Sequence, residues 1–367
     1  MSTPHDPSLI ARRFQFRGEV SSVSPHGNGH INDTYLVTCT EADRPERYVL
    51  QHINRHVFHN PAAVMRNIER VTSHLAAQLP DEPDSDRRVL TLISTRDDHA
   101  WYEDAAGEIW RAYGFIPAAH SVDTASSSQE AFQAARAFGL FQRQLATLPA
   151  PRLEETIPDF HHTPRRFAAL EKAISSDICN RAAQAKREIE FALAHHSITA
   201  TLINAGLPER ITHNDTKLNN VLFDDASGEG ICVIDLDTVM PGLALYDFGD
   251  MVRTTTSPAD EDERELSKVT MQFEMFEALV RGYLSTAGGF LTKAERQLLA
   301  FSGKLITFET GIRFLADYLS GDTYFKIHRE GHNLDRCRTQ FKLVESIERQ
   351  EDLMNRLVES IAGYTTG

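Results

Sequence analysis

Cysteine is scarce in this chain and nowhere clustered. Its four cysteines, Cys39, Cys179, Cys232 and Cys337, are scattered over 367 residues without a CxxC pair. That argues against a disulfide framework or a structural zinc site and suits a reducing compartment. Long apolar runs are missing too: none approaches the roughly 18 residues that a membrane-spanning helix needs. The N-terminal stretch MSTPHDPSLIARRFQF lacks the sustained apolar core of a signal peptide. Runs of Lys or Arg are absent, and 38 basic residues face 52 acidic ones, for a net charge of −14. Such a chain repels polyphosphate backbones, so neither nucleic acid nor a membrane is an expected partner. No GxxxxGK[ST] P-loop, internal repeat or low-complexity tract occurs. What remains is an acidic globular protein, expected in the cytoplasm and longer than one ordinary domain. Nothing in the sequence specifies its oligomeric state.

The order of patterns predicts an α+β protein. The first hundred or so residues read mainly as strands: GEVSSVSP and DTYLVTC flank a glycine-containing loop, and RYVLQHI makes a third. One helical segment follows, PAAVMRNIERVTSHLAAQL, with Val64, Ile68, Val71 and Leu75 at three- and four-residue spacing. VLTLIST, AWYEDA and EIWRAYGFI are further strand candidates. From about Ser126 the period becomes helical and stays so to the C-terminus, apart from a strand-rich island between about Ile211 and Asp237. The simplest arrangement is a β-rich lobe over residues 1–115, a hinge near Ile116 and a larger helical lobe over 116–367, with the island at the cleft.

The chemistry is concentrated in that island, ITHNDTKLNNVLFDDASGEGICVIDLDT. His213, Asp215, Lys217 and Asn220 spell H-x-D-x-K-x-x-N, the layout of a kinase catalytic loop. In such a loop the aspartate accepts the proton of the attacking hydroxyl, and the asparagine five residues on binds metal. VLF and ICVID, joined by DDASGEG, read as a hairpin that returns Asp235 beside Asn220. Phosphoryl transfer needs these groups: a carboxylate to take a proton, hard oxygen ligands for Mg²⁺, and a cation such as Lys217 to balance charge on the γ-phosphoryl. The bland alternative, loop carboxylates capping turns, does not account for three coordinated positions and a returning aspartate.

These motifs resemble those of the aminoglycoside phosphotransferase and choline kinase superfamily, the small-molecule branch of the protein-kinase-like fold. More narrowly, GNGHINDTYLV, HNDTKLNN and IDLDTVMPG together are similar to N-acetylhexosamine 1-kinases, and the likeness runs roughly from Gly27 to Tyr324. The resemblance implies a bilobal fold, ATP and Mg²⁺ as cofactors, and a small-molecule sugar as substrate. It also implies Asp215 as base, with Lys217 beside it, and Asn220 and Asp235 as metal ligands. The letters DFG in LYDFGD, which elsewhere mark a metal-binding loop, fall beyond the hairpin and after the turn at Pro241-Gly242. Asp247 is therefore expected near the start of a short helix, in a structural role supporting the catalytic loop.

Two further regions carry expectations. Gly27, Asn28 and Gly29 do not open a helix, as a dinucleotide fingerprint would. They precede a strand, so a hairpin loop closing over nucleotide phosphates is expected there. In RYVLQHI the position where kinases usually carry a phosphate-contacting lysine holds Gln51. Arg55 and Lys217 are the candidates to replace its charge. For the acceptor, the resemblance favours Arg313, Tyr324 and His161. Glu309, Arg313 and Asp317 also fit an exposed i, i+4, i+8 salt-bridge ladder. The pairs His161–His162 and His195–His196 do not read as metal sites, since adjacent residues face different ways. The leading expectation is phosphorylation of the anomeric hydroxyl of an N-acetylhexosamine. An aminoglycoside, choline or another amino alcohol is the alternative acceptor, and a nucleotide-binding pseudokinase the alternative from another class.

Overall fold

The structure is a computed structural model that describes residues 6–27, 31–41, 44–79 and 84–364. It begins with a short helix α1 (Pro7–Ala11), then strands β1 (Glu19–Pro25), β2 (Asp33–Glu41) and β3 (Arg44–His52). Helix α2 (Pro61–Ala76) follows, then β4 (Tyr102–Glu103) and β5 (Ile109–Gly114). These strands form one antiparallel sheet in the order β1-β2-β3-β5-β4. Period-two alternation sets its faces. Val37, Cys39, Tyr48, Leu50, Trp110 and Ala112 point to one side, where α1 and Phe14 cover them. The other face carries Thr34, Gln51, Arg111 and Tyr113 towards the rest of the molecule.

The segment VLTLIST does not become a strand of its own. Gly114 N donates to Thr91 O and Ile93 N to Ala112 O, so it lies along the part of β5 that β4 leaves free. Only isolated bridges, Leu92 with Tyr113 and Thr95 with Phe14, form there. The free edge is too short for a longer ladder.

Helix α2 starts where the sequence signals it, with Asn60 Oδ1 capping Ala63 N at 3.1 Å and Pro61 in the first turn. Val64, Ile68 and Val71 are fully buried and Leu75 nearly so. Their cluster runs from beneath the sheet into the helical part. Polar bonds add to it: Asn67 Nδ2 donates to Val239 O (3.1 Å) and Glu154 O (2.8 Å), and Asn67 Oδ1 accepts from Glu154 N (3.0 Å). Arg66 pairs with Glu154, and Arg70 donates to Pro149 O and Pro151 O.

After residues 115–118 the chain enters β6 (Ala119–His120) and the helices α3 (Ser128–Leu145), α4 (Thr163–Ser176), α5 (Lys186–Ala194) and α6 (Thr201–Asn204). The island supplies β7 (Arg210–Thr212), β8 (Val221–Asp224), β9 (Gly230–Val233) and β10 (Met240–Gly242). Then come α7 (Ala244–Thr255), α8 (Phe273–Ala287), α9 (Lys293–Gln297), α10 (Leu299–Leu319), α11 (His332–Glu348) and α12 (Glu351–Tyr364). A second apolar cluster fills the space between α4, α5, α10 and α11. Helices α7 and α10 cross closely at Gly249, where a Cβ would sit 2.5 Å from Ser302 O. The glycine of DFG is thus a packing residue. Among the described residues no helix is long and apolar enough to cross a membrane, and no disulfide forms.

Candidate active site

Two short antiparallel pairs, β7 with β10 and β8 with β9, frame the island. The loop from His213 to Lys217 leaves β7 and closes in a single 3₁₀ turn at Leu218–Asn220. The expected hairpin is present, with Val221 opposite Val233. Ile234 N donates to Asn220 O at 2.9 Å, which ties the two strand ends together and leaves Asp235 beside Asn220.

Two non-glycine residues here hold left-handed backbone, Asn214 (φ 66°) and Asp235 (φ 58°). Each such conformation costs on the order of 1–3 kcal/mol and persists only where neighbours impose it. They do so from three directions. From α7, Asp247 accepts His213 N (2.9 Å) and Asn214 N (2.7 Å), and Asp250 accepts Thr216 N (2.8 Å). Thr238 donates to His213 O (2.7 Å) and accepts the Asn214 amide at its own carbonyl (2.9 Å). His213 accepts Asp215 N at Nδ1 (3.3 Å) and reaches Ile234 O through Nε2 (2.9 Å), which fixes its Nε2–H tautomer. Asp247 does lie in the first turn of a helix, and its carboxylate staples the loop.

The charged groups converge. Lys217 Nζ sits 2.9 Å from Asp215 Oδ1, and Asn220 Nδ2 donates to Asp215 O (2.8 Å) and Oδ2 (3.3 Å). Burial acts to raise the pKa of Asp215, but the charge and hydrogen bond of Lys217 outweigh it and hold the carboxyl below its usual value. Asp235 goes the other way. Partial loss of hydration, then the charges of Asp237 and Asp215, push it up to about 6. Asp215 is thus held ionised, while Asp235 sits in a negative field that favours a bound proton or cation.

A magnesium ion fits these residues. Asp235 is exposed, and its carboxylate makes no hydrogen bond or ion pair among the described residues. Asn220 spends its amide N–H groups on Asp215, which leaves its Oδ1 as a second oxygen donor. No group of three or more His, Cys, Asp or Glu side chains could hold a metal among the described residues. A two-ligand protein site completed by phosphates and water is the usual arrangement for Mg²⁺. A pH test follows. Asp235 has a folded pKa near 6 against about 3.9 in an unfolded chain, so its contribution to stability is greatest below about pH 4 and is lost as pH rises to about 6. A cation reverses this, because it binds the ionised form. Thermal stabilisation by Mg²⁺ with ADP should therefore be small at pH 5 and reach its plateau above about pH 7. A pH-independent stabilisation would exclude Asp235 as a ligand.

On the sheet side, Gln51 points into the cleft face and donates to Thr34 Oγ1 at 3.1 Å. Neither candidate cation replaces a lysine there. Arg55 pairs with Glu108 at 3.6 Å, and Lys217 is taken up by Asp215. The cation that meets Gln51 is Arg111, directly opposite it on β5. Arg111 donates through Nε to Gln51 Oε1 (2.9 Å) and pairs with Asp237. A cross-strand partner sixty residues away gives no motif, so sequence reasoning missed it. Gly27 has φ +74°, as a glycine turn demands, with open space at its Cβ position. Asn28 and Gly29 lie outside the described residues.

The acceptor residues sort differently from expectation. His161 is not free to grip a substrate. It is buried, with Nδ1 2.7 Å from Glu309 Oε1 and Nε2 3.1 Å from Asn214 O, so it braces the residue before Asp215. Nor is the Glu309–Arg313–Asp317 row an exposed ladder. Glu309 is fully buried, and although burial would raise its pKa, His161, Arg313 and Thr163 keep it low. Asp317 accepts the backbone N–H groups of Thr323, Tyr324 and Phe325 at 2.8–2.9 Å, which fixes that loop. Between them Arg313 lies over the rings of Phe160 (5.0 Å) and Phe325 (5.6 Å), with no hydrogen bond or ion pair among the described residues. Tyr324 stands 57% exposed, its ring edge-on to that of Phe325.

Comparison with known proteins agrees with this geometry. The model of the phosphotransferase enzyme family, APH, matches residues 22–279, a span that takes in the loop, the hairpin and α7 and stops short of Arg313. A microcompartment-associated aminopropanol kinase superposes with a TM-score of 0.61 at 18% identity, covering 95% of this chain and 98% of that one. An aminoglycoside phosphotransferase from Alicyclobacillus acidocaldarius gives 0.60 at 10% identity, with 98% of both chains covered. A spectinomycin phosphotransferase, solved with ADP and spectinomycin, gives 0.52 at 15% identity and the same coverage. At these identities the likeness is one of fold, the kinase-like α+β arrangement of a sheet followed by helices. With its catalytic loop inside the matched span, the chain belongs to the phosphotransferase enzyme family.

Proposed function

We propose that the protein is an ATP-dependent kinase that phosphorylates the anomeric hydroxyl of an N-acetylhexosamine, with residues 1–115 holding the nucleotide and residues 116–367 the acceptor. Asp215 accepts the proton of the sugar hydroxyl as its oxygen attacks the γ-phosphorus in line and the bond to ADP breaks. An anomeric hydroxyl is more acidic than an ordinary alcohol, and a carboxylate whose basicity is lowered by Lys217 suits it. Lys217 balances charge at the same centre. Bound Mg²⁺, held by Asn220 and Asp235, would neutralise the phosphates.

The observation that carries the acceptor class is Arg313. An unpaired guanidinium flanked by aromatic rings offers a donor fork and a flat face, which match sugar hydroxyls and an acetamido carbonyl. Arg166 is close enough that Arg313 depresses its pKa after burial has done so, which brings a second guanidinium to the same region. An ammonium group about 6 Å from such a charge would be disfavoured by about 2–3 kcal/mol at an effective dielectric near 20. Choline, other amino alcohols and aminoglycosides are cations, and this term opposes them.

ADP release measured with N-acetylglucosamine, N-acetylgalactosamine, choline, an amino alcohol and an aminoglycoside separates the readings. Turnover is expected with one or both N-acetylhexosamines, with kcat/KM at least about tenfold above any cationic acceptor, the size of a 1.4 kcal/mol difference. A cationic acceptor ahead of the sugars would overturn the assignment. No turnover with any of them, together with nucleotide binding indifferent to Mg²⁺, would favour a non-catalytic nucleotide-binding role.

A further inference from the structure

One buried ion pair joins the sheet to the turn that carries Asp235, and the phosphotransfer scheme leaves it without a task. Arg111 is 1% exposed and lies beside Asp237, itself 2% exposed. Both Asp237 oxygens are engaged from the sheet side: Oδ1 by Arg111, and Oδ2 by Asn32 Nδ2 at 2.6 Å. Asn32 closes the loop that begins at Gly27, and its own Oδ1 accepts Asn54 N at 3.0 Å. Arg111 is held in turn by Gln51 and lies 5.3 Å from the Tyr113 ring centroid. Asp237 is two residues beyond Asp235, in the 3₁₀ turn Leu236–Thr238, whose Thr238 also binds His213 O and the Asn214 amide.

We propose that Arg111 and Asp237 are positioning residues for the metal turn: the pair, with Asn32, fixes where Asp235 stands relative to the sheet. The guanidinium is too enclosed and too fully paired to be a phosphate hand. Its charge instead fixes one carboxylate so that the next, two residues back, stays free for a cation. Gln51 follows from this arrangement, since a lysine there would put a second positive charge against Arg111. A neutral amide can accept from Arg111 Nε while donating to Thr34. Partners that orient a metal ligand typically affect metal affinity by about 10–100-fold when removed.

The proposal rests on the kinase reading only for the nucleotide, and its test needs no acceptor. Calorimetry would compare ADP binding with and without Mg²⁺ for the full chain and for Arg111→Met, Arg111→Lys and Arg111→Met/Asp237→Asn. Arg111→Met is expected to weaken ADP binding in Mg²⁺ by at least about tenfold, and by less than about threefold without it. Arg111→Lys, which keeps the charge but not the fork, should fall between. The double variant should melt above the Arg111→Met single, because no carboxylate is left stranded, yet still bind Mg²⁺-ADP weakly. Equal losses with and without Mg²⁺ would make the pair a mere strut of the sheet and overturn the inference. So would full Mg²⁺-ADP affinity in the double variant. If wild type binds Mg²⁺-ADP but turns over no sugar, the acceptor assignment fails and this inference stands. If it binds no Mg²⁺-ADP, both fail.

Discussion

Asp215→Asn is expected to lose at least about 10²–10⁴-fold in kcat, the contribution of a positioned base, while folding as wild type does. The side chain is 25% exposed and its partners are local: Lys217, and the Asn220 amide, which also holds the main-chain carbonyl. An asparagine there keeps the shape and one acceptor oxygen. It cannot take a proton, and it releases Lys217 to solvent, where an unpaired ammonium costs little. Melting temperature and Mg²⁺-ADP affinity should stay close to wild type while ADP release in the presence of sugar collapses. Turnover within tenfold of wild type would remove Asp215 from the role of base.

Asp247→Ala should fail in the opposite way, through stability before chemistry. Three buried donors point at this carboxylate: His213 N, Asn214 N and the Gln142 amide at 2.6 Å. Stranding a buried donor costs about 1–3 kcal/mol, so loss of all three approaches the whole stability of many domains. Behind Gln142, the hydroxyl of fully buried Tyr283 loses its ordered acceptor as well. Chemical denaturation followed by circular dichroism should give a midpoint far below wild type. Whatever folded fraction survives should lose activity, because the left-handed turn at Asn214 has lost what imposes it. Wild-type stability with normal turnover would show that α7 does not hold the catalytic loop.

The contrast between these two aspartates also explains how much the sequence could say. Asp215, Asn220 and Asp235 were legible because their spacing is local. A five-residue interval and one hairpin return place all three, and hairpin geometry is written in turn residues. Asp247 was legible as structural for the same reason, a turn signal followed by a helix. What escaped was held together across the chain. Arg111 meets Asp237 across 126 residues, and His161 meets Glu309 across 148. No periodicity encodes such contacts, so His161 read as a loop residue near a substrate and Glu309 as one rung of an exposed ladder. The row on α10 was seen at the correct spacing. Its side was misjudged, because charged residues on one helix face usually meet water, and here they meet His161, which braces the catalytic loop, and the Tyr324 loop.

Helix α2 has a consequence of another kind. Its Asn67 clamps Val239 O and both backbone groups of Glu154, while Arg66 and Arg70 grip the same connecting segment. A helix fastened in this way travels with the C-terminal helices. If the sheet rocks to admit nucleotide, it must slide over α2 instead of carrying it. A ligand that wedged this helix outward would first have to break these bonds.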